Sequence, residues 1–330
     1  MTEIPMSDIG SRKALVGQVT FGTALVLFGR VLALSMAFFV LRSALAAGDV
    51  GIGTAQPLAI AGILLVAGCA KRSASTLLAV GYVLMFLVFL LLRPVADETF
   101  IPVHYEFPIL MDRILFLGTL PMVWMQDLFY VPGRVGVIDL VLSSVYITYF
   151  FAPHVIALIV WRTRPQLFPK AIVAISLTFM IGLFFYFAVP TAPPWLASER
   201  GDIDSDIVRI LPEISAQMAG DTYDEASRAV GENDVAAMPS LHTALTAMVA
   251  LILAGYGRRW RWVGITYVAL MATALVYLGE HYIIDEIAGV ALAFGVWRLV
   301  SRHRAFAWLS AGAEAQKDVA VEVAAERPAA

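Results

Sequence analysis

Two kinds of residue are scarce in this sequence: charged residues and cysteine. Only 15% of its 330 residues are charged, whereas 60% are hydrophobic and the mean hydropathy is +0.79. A soluble domain carries about 25% charged residues, so this composition excludes an ordinary soluble protein and predicts an integral membrane protein. The single cysteine, Cys69, excludes internal disulfides and cysteine-rich metal sites.

Long apolar runs divide the chain into candidate membrane spans. A helix needs roughly 17–25 apolar residues to cross a bilayer, and runs of about this length lie at residues 21–41, 52–70, 73–92, 135–161, 171–189, 239–255, 262–279 and 283–300. Helices satisfy their own backbone hydrogen bonds inside the bilayer. We therefore predict an all-α polytopic bundle of about eight transmembrane helices.

The distribution of Lys and Arg predicts the orientation. If the runs alternate, the basic residues before the first run and those near 71–72, 162–170, 258–261 and 302–304 all fall on one side. The positive-inside rule makes that side cytoplasmic, with both termini. The acidic loop 196–236 would then lie outside.

The segment 105–121 is too mixed in polarity to span the membrane. Its apolar residues surround Asp112 and Arg113, so we expect a helix lying along the outer interface. The alternative is a solvated connector packed on the bundle, with Asp112 and Arg113 paired to each other.

The stretch Met238-Pro239-Ser240-Leu241-His242 begins an apolar run on the predicted outer side. Proline suits the first turn of a helix, so we expect a helix from about Pro239. The unpaired N–H groups of its first turn, with the helix dipole, would hold an anion such as phosphate. Alternatively, Ser240 is an ordinary helix cap and His242 a polar residue at the membrane surface.

His281 and Asp285 form a second polar motif at the end of an apolar run. Residues four apart share a helix face, so Asp285 can hold one imidazole nitrogen of His281 and leave the other as a base or nucleophile. A rival interpretation is a zinc site formed with His242. No Cys or second His pair supports it, and we expect neither metal nor cofactor. A proton-coupled transporter would need such residues at mid-span rather than at a run's end.

Together, Met238–His242 and His281-Tyr282-Ile283-Ile284-Asp285 resemble the second and third signatures of the type-2 phosphatidic acid phosphatase superfamily. The upstream stretch Thr191-Ala-Pro-Pro-Trp195 resembles the branch of inositol phosphorylceramide synthases and related lipid phosphotransferases. The resemblance implies a six-helix core within residues 73–304, preceded by two additional spans in 1–72. We expect residues 305–330 to be a disordered cytoplasmic tail.

The resemblance also implies a metal-independent double displacement. His281 would attack the phosphorus and Asp285 would orient the His281 imidazole. His242 would protonate the leaving oxygen. The phosphatases of this superfamily carry a Lys and an Arg-Pro pair in their first motif, a position that residues 190–195 occupy here. The outer-side candidates to replace those cations are Arg113, Arg134, Arg200, Arg209 and Arg228.

We expect substrate to be bound by Ser240, Pro239, Thr191, Trp195, Tyr282 and Arg113. The favoured reaction moves a phosphoryl-headgroup unit from a phospholipid or polyprenyl phosphate to a lipid or polyol alcohol. The alternative is a lipid phosphate phosphatase that uses water. We expect a bacterial plasma membrane, a site facing outside the cytoplasm, and no nucleic acid partner.

Overall fold

The computed structural model describes residues 74–97, 101–219 and 233–302. These residues form α-helices and no strand, which confirms the all-α prediction. The helices are α1 Ala74–Leu92, α2 Glu106–Leu115, α3 Pro121–Phe129, α4 Val137–Ile147, α5 Ala152–Thr163, α6 Phe168–Ala188, α7 Pro194–Arg200, α8 Ile210–Ala219, α9 Leu241–Ala254, α10 Arg258–Tyr277 and α11 Ile283–Arg302. The predicted spans 21–41 and 52–70, Cys69 and the tail 305–330 lie outside the described residues.

Membrane-crossing length and composition are met by two helical stretches of the described chain, Leu78–Ala96 and Phe168–Ala188. The predicted span 135–161 is not one continuous helix, because α4 and α5 are bent by 55° across the 3₁₀ turn Thr148–Phe150. Pro153 stands in the first turn of α5 and lacks the N–H that would continue the helix. If the bent pair is one span, the described residues contain three candidate membrane spans. The total of about eight transmembrane helices stays a prediction.

Helix α9 lies at the centre of the bundle and packs against α5, α6, α10 and α11. Nine of its fourteen residues are buried, as expected for a helix that protein surrounds on every side. It approaches α11 closely: a Cβ added at Gly289 would lie 2.4 Å from the carbonyl oxygen of Ser240. Glycine therefore permits the crossing that sets the start of α9 beside the start of α11.

The helix predicted over 105–121 ends earlier, at Leu115. Leu117 and Gly118 take left-handed backbone angles, with φ of 54° and 95°, and these end the helix before α3 begins. Gln126 of α3 then ties two other segments together. Its amide nitrogen donates to the carbonyls of Val208 and Tyr277, both at 2.9 Å. The bond to Tyr277 fixes the end of α10 against α3.

The predicted outer loop 196–236 contains most of α7 and all of α8. Just before this loop, the backbone of Thr191 is hydrogen-bonded to the segment that precedes α9. Its N–H donates to the carbonyl of Val235 at 2.8 Å, and its carbonyl accepts from the N–H of Ala237 at 3.1 Å. The N–H of Trp195 donates to the carbonyl of Gly279 at 3.3 Å. These bonds gather the loop segments next to the start of α9.

Candidate active site

His242, His281 and Asp285 form one hydrogen-bonded chain. Nδ1 of His242 lies 3.2 Å from Nε2 of His281, and Nδ1 of His281 lies 3.4 Å from Oδ2 of Asp285. A carboxylate accepts only, so we assign the proton of this second contact to Nδ1 of His281. Nε2 of His281 then carries a lone pair, and the Nδ1–H of His242 donates to it. The chain thus presents an oriented nucleophilic nitrogen next to a proton donor.

Local helix starts place these three residues. Ser240 is the N-cap of α9, and its hydroxyl oxygen accepts the N–H of Thr243 at 3.3 Å, which confirms the capping interpretation. The helix begins at Leu241, two residues later than predicted, so Pro239 precedes the cap. The N–H of Ser240 donates to the carbonyl of Asp285 at 3.1 Å. The starts of the two helices are therefore bonded directly to each other.

Two tyrosine rings flank the imidazole of His242. The ring of Tyr149 lies 4.2 Å from it and the ring of Tyr146 lies 4.9 Å from it, centroid to centroid. Both tyrosines are buried and come from the bent α4–α5 region. The break in that span thus places aromatic side chains against the N-terminal end of α9.

A cleft with an empty volume of about 600 Å³, including space open to solvent, reaches both histidines. Two cations and two carboxylates line it: Arg93, Arg209, Glu280 and Asp234. Its other lining residues include Phe89, Tyr146, Tyr149, Tyr186, Trp195 and Asn233. The cleft therefore brings both histidines together with arginine side chains, the type of group that binds phosphate.

Arg209 is held in place on two sides. Its Nε donates to Oε1 of Glu280 at 2.9 Å, and its guanidinium lies 4.6 Å from the centre of the Trp195 ring. The indole Nε1 of Trp195 is buried and has no hydrogen-bond partner among the described residues. A buried donor without a partner costs free energy, so a ligand oxygen in the cleft would satisfy it.

The other residues predicted to bind substrate lie outside the cleft lining. Ser240, Pro239 and Thr191 are buried in the scaffold around the start of α9. The ring of Tyr282 is buried in a separate apolar cluster with Ile109 and Met122, among others. Arg113 is exposed on α2. Among the candidate arginines, Arg209 lines the cleft, and Arg228 lies outside the described residues.

Sequence reasoning missed three charged residues of the cleft, Arg93, Asp234 and Glu280. Arg93 directly follows the apolar run that ends at Leu92 and precedes Pro94, so an Arg-Pro pair stands at the predicted outer end of that run. Glu280 directly precedes His281. Arg93 and Glu280 each stand at the predicted outer end of an apolar run, which indicates the side of the membrane but not proximity to α9.

Asp112 interacts with backbone N–H groups of α11 rather than with Arg113. Its two carboxylate oxygens accept the N–H groups of Ile283 and Ile284, each at 2.9 Å. Burial raises the pKa of Asp112 to about 6; these two bonds oppose the rise, and the nearby Asp285 carboxylate adds to it. The predicted alternative of a simple Asp112–Arg113 pair is therefore wrong.

In the three described stretches, no three His, Cys, Asp or Glu side chains are grouped so that they could hold a metal ion. Metal independence itself stays a prediction, to be tested on the enzyme. The two histidines lie at helix starts rather than at mid-helix. A proton-coupled transporter would need them at mid-span.

A helical membrane bundle that presents a His–His–Asp chain and two arginines in one cleft has the groups that phosphoryl transfer requires. The chain belongs to the PAP2 superfamily, which it matches over residues 117–299. It is also similar to an inositol phosphorylceramide synthase from Candida albicans, with 27% identity over 176 residues. No solved structure matches the chain.

That similarity covers 49% of this chain and 36% of the Candida albicans protein, so it spans little more than a third of the relative. The relative comes from a yeast and lends no support to a bacterial source. Family and relative agree on the class, which confirms the resemblance seen in the motifs. The chain is therefore a helical membrane protein of the PAP2 superfamily.

Proposed function

We propose that the enzyme transfers a phosphoryl-headgroup unit from a phospholipid to an alcohol acceptor through a phosphohistidine intermediate. The observation that carries this proposal is the charge balance of the cleft. Arg93 and Arg209 are matched there by Glu280 and Asp234, and Glu280 already pairs with Arg209. The four formal charges therefore sum to zero, so the cleft offers little net positive charge beside the histidines.

This balance favours a phosphodiester over a phosphomonoester. A monoester carries about −1.5 to −2 charge near neutral pH, whereas a diester carries a single negative charge. Glu280 immediately precedes His281, so its carboxylate would repel a dianion close to the reacting phosphorus. A phospholipid with a headgroup is a diester, and phosphatidic acid is a monoester. The resemblance to headgroup transferases points the same way.

The chemistry follows from the hydrogen-bonded chain in two balanced steps. First, Nε2 of His281 forms a bond to phosphorus as the bond from phosphorus to the lipid oxygen breaks, and His242, protonated on both nitrogens, gives one proton to that oxygen and becomes neutral. Asp285 stabilises the charge that develops on the imidazole. Next, His242 takes the proton of the acceptor hydroxyl, whose oxygen bonds to phosphorus as the bond to Nε2 breaks. The histidine is regenerated.

This mechanism requires the two histidines to separate. Nucleophile and phosphorus must come within about 3–3.5 Å, with the leaving oxygen on the far side of the phosphorus. The 3.2 Å between His242 and His281 leaves no room for a phosphoryl group between them. We therefore infer that substrate enters by displacing the His242 imidazole along the faces of Tyr146 and Tyr149.

The alternative function is hydrolysis of a lipid phosphate, including a polyprenyl phosphate. One observation favours hydrolysis: Arg93, which lines the cleft, is followed by Pro94. The phosphatases of the superfamily carry an Arg-Pro pair in their first motif, and residues 190–195 of this chain contain none. Water would then take the place of the acceptor alcohol in the second step.

Product analysis distinguishes the two functions. Purified enzyme is incubated with phosphatidylinositol or phosphatidic acid, each with and without lipid and polyol acceptors, and the products are identified by mass spectrometry. Transfer predicts an acceptor that carries the phosphoryl headgroup and a preference for the diester donor. If only inorganic phosphate or a free headgroup phosphate appears with every acceptor, the enzyme is a phosphatase.

We further propose that the cleft opens outside the cytoplasm. The basic loops support this orientation through the positive-inside rule, and the outer ends of the runs meet at the cleft. A cysteine introduced at Ser215 should react with a membrane-impermeant label in intact cells, whereas one at Ser301 should not. The reverse pattern would place the site in the cytoplasm.

A further inference from the structure

We propose that Asp112 is a positioning residue for the catalytic pair, an inference that rests on the proposed function of His281 and Asp285. Asp112 belongs to α2 and is separated from Ile283 by 171 residues of sequence. Its side chain is fully buried. It accepts the N–H groups of Ile283 and Ile284, the two residues that begin α11.

These two N–H groups lie between His281 and Asp285 in the sequence. The first N–H groups of a helix have no partner inside the helix, and a carboxylate at that end satisfies them and interacts favourably with the helix dipole. The preceding N–H, that of Tyr282, donates to Asp285 at 3.0 Å. Two carboxylates, Asp112 and Asp285, therefore hold three consecutive donors of this turn.

The conformation of this turn sets the geometry of the catalytic pair. His281 and Asp285 stand at its two ends, and their contact of 3.4 Å depends on how the chain passes through Ile283 and Ile284. Asp112 does not line the cleft, so it acts through the backbone of α11 and not on the substrate. A misplacement of about 1 Å near reacting groups costs on the order of a hundredfold in rate.

The test compares Asp112→Ala and Asp112→Asn with the matched control Asp139→Asn. Asp139 is also a buried aspartate at a helix start: it accepts the N–H of Gly136 and the O–H of Tyr277, and neither of these partners is a histidine or belongs to α11. For each variant, kcat and KM are measured for whichever product the wild type forms, per mole of folded protein. Amide hydrogen exchange is measured at Ile283 and Ile284.

We expect Asp112→Ala to lower kcat by about tenfold or more, with KM within about twofold, because the catalytic pair moves while the cleft stays intact. Exchange at Ile283 and Ile284 should become faster. Asp112→Asn should lower kcat less than Asp112→Ala does, because the amide oxygen of asparagine can still accept one N–H. Asp139→Asn should keep the wild-type kcat per folded molecule.

Wild-type kcat in folded Asp112→Ala, or the same loss in Asp139→Asn, would overturn the inference. If the alanine variant does not fold, the asparagine variant decides by the same criteria. Unchanged exchange at Ile283 and Ile284 in Asp112→Asn would also count against it. If the wild type shows neither transfer nor hydrolysis, the proposed function fails, and the exchange measurement alone still decides whether Asp112 holds this turn.

Discussion

Replacing Asp285 with Asn tests the electrostatic part of the mechanism with a minimal change of shape. Asp285 is buried, and its Oδ2 lies 3.4 Å from Nδ1 of His281 while also accepting the N–H of Tyr282. The asparagine can keep the bond from Tyr282 through its amide oxygen. What it removes is the negative charge that stabilises the imidazole as His281 bonds to phosphorus.

The separation sets an upper limit to the effect. Two unit charges 3.4 Å apart interact by about 5 kcal/mol at an effective dielectric constant of about 20. Each 1.4 kcal/mol or so of barrier is about tenfold in rate, so the limit is several thousandfold. The amide dipole recovers part of this energy, and we expect kcat to fall by about 10²- to 10³-fold.

The assay is kcat for product formation in detergent micelles or proteoliposomes, normalised to folded protein. Glu286→Gln is the matched control, because Glu286 is the next residue, is buried and accepts the hydroxyl of Thr243, not a histidine. We expect that control to lose far less activity. If Asp285→Asn keeps more than about a tenth of wild-type kcat, the charge of Asp285 is not part of the chemistry.

Three other predictions concern charge and metal. Arg93→Gln should lower kcat/KM by about 10- to 100-fold, since a hydrogen bond to a charged group contributes about 1.5–3 kcal/mol; equal losses in the exposed Arg162→Gln would refute a special role for Arg93. EDTA should leave the rate nearly unchanged, and inhibition that zinc or magnesium reverses would revive the metal site. Because burial raises the pKa of Asp112 to about 6, its contribution to stability is full below the unfolded pKa of about 4 and is lost as the pH rises through about 6. As the pH rises from about 4 to about 6, the melting temperature of Asp112→Asn should therefore increase relative to that of the wild type. A difference in melting temperature that does not change with pH would contradict the raised pKa of Asp112.

The proximity of His242, His281 and Asp285 could be predicted because its signals are local. The spacing of four residues between His281 and Asp285 fixes their relation within one turn, whatever the rest of the chain does. The alternation of apolar runs also indicated that His242 would stand at the same end of the bundle. The structure brings all three into one chain of contacts.

The cations could not be assigned because they depend on how distant helices pack. Arg93 and Arg209 reach the cleft from the end of α1 and from the segment before α8, and no local pattern relates those positions to α9. Arg113 was expected to bind substrate, yet it is exposed on α2. Sequence reasoning included Arg209 among five outer-side candidates and omitted Arg93.

Asp112 shows what the sequence of the segment 105–121 did not reveal. In α2 the apolar residues Phe107, Leu110 and Ile114 are exposed, as in a helix at a membrane surface, and Asp112 is the buried side chain. The pattern that marks the protein-facing side of a soluble helix is therefore reversed here. The burial of a carboxylate becomes understandable only when the start of α11 is seen to supply its two N–H partners.

The central claim is that the phosphoryl headgroup passes through a covalent bond to His281, and trapping that bond tests it most directly. Enzyme mixed with phosphatidylinositol labelled at its phosphate is quenched within milliseconds in base, since phosphohistidine is acid-labile, and digested for mass spectrometry. The account predicts label on His281, none in His281→Ala, and transfer of that label to an acceptor alcohol in a chase. Turnover in the wild type with no labelled His281 at any time, or substantial turnover in His281→Ala, would contradict it.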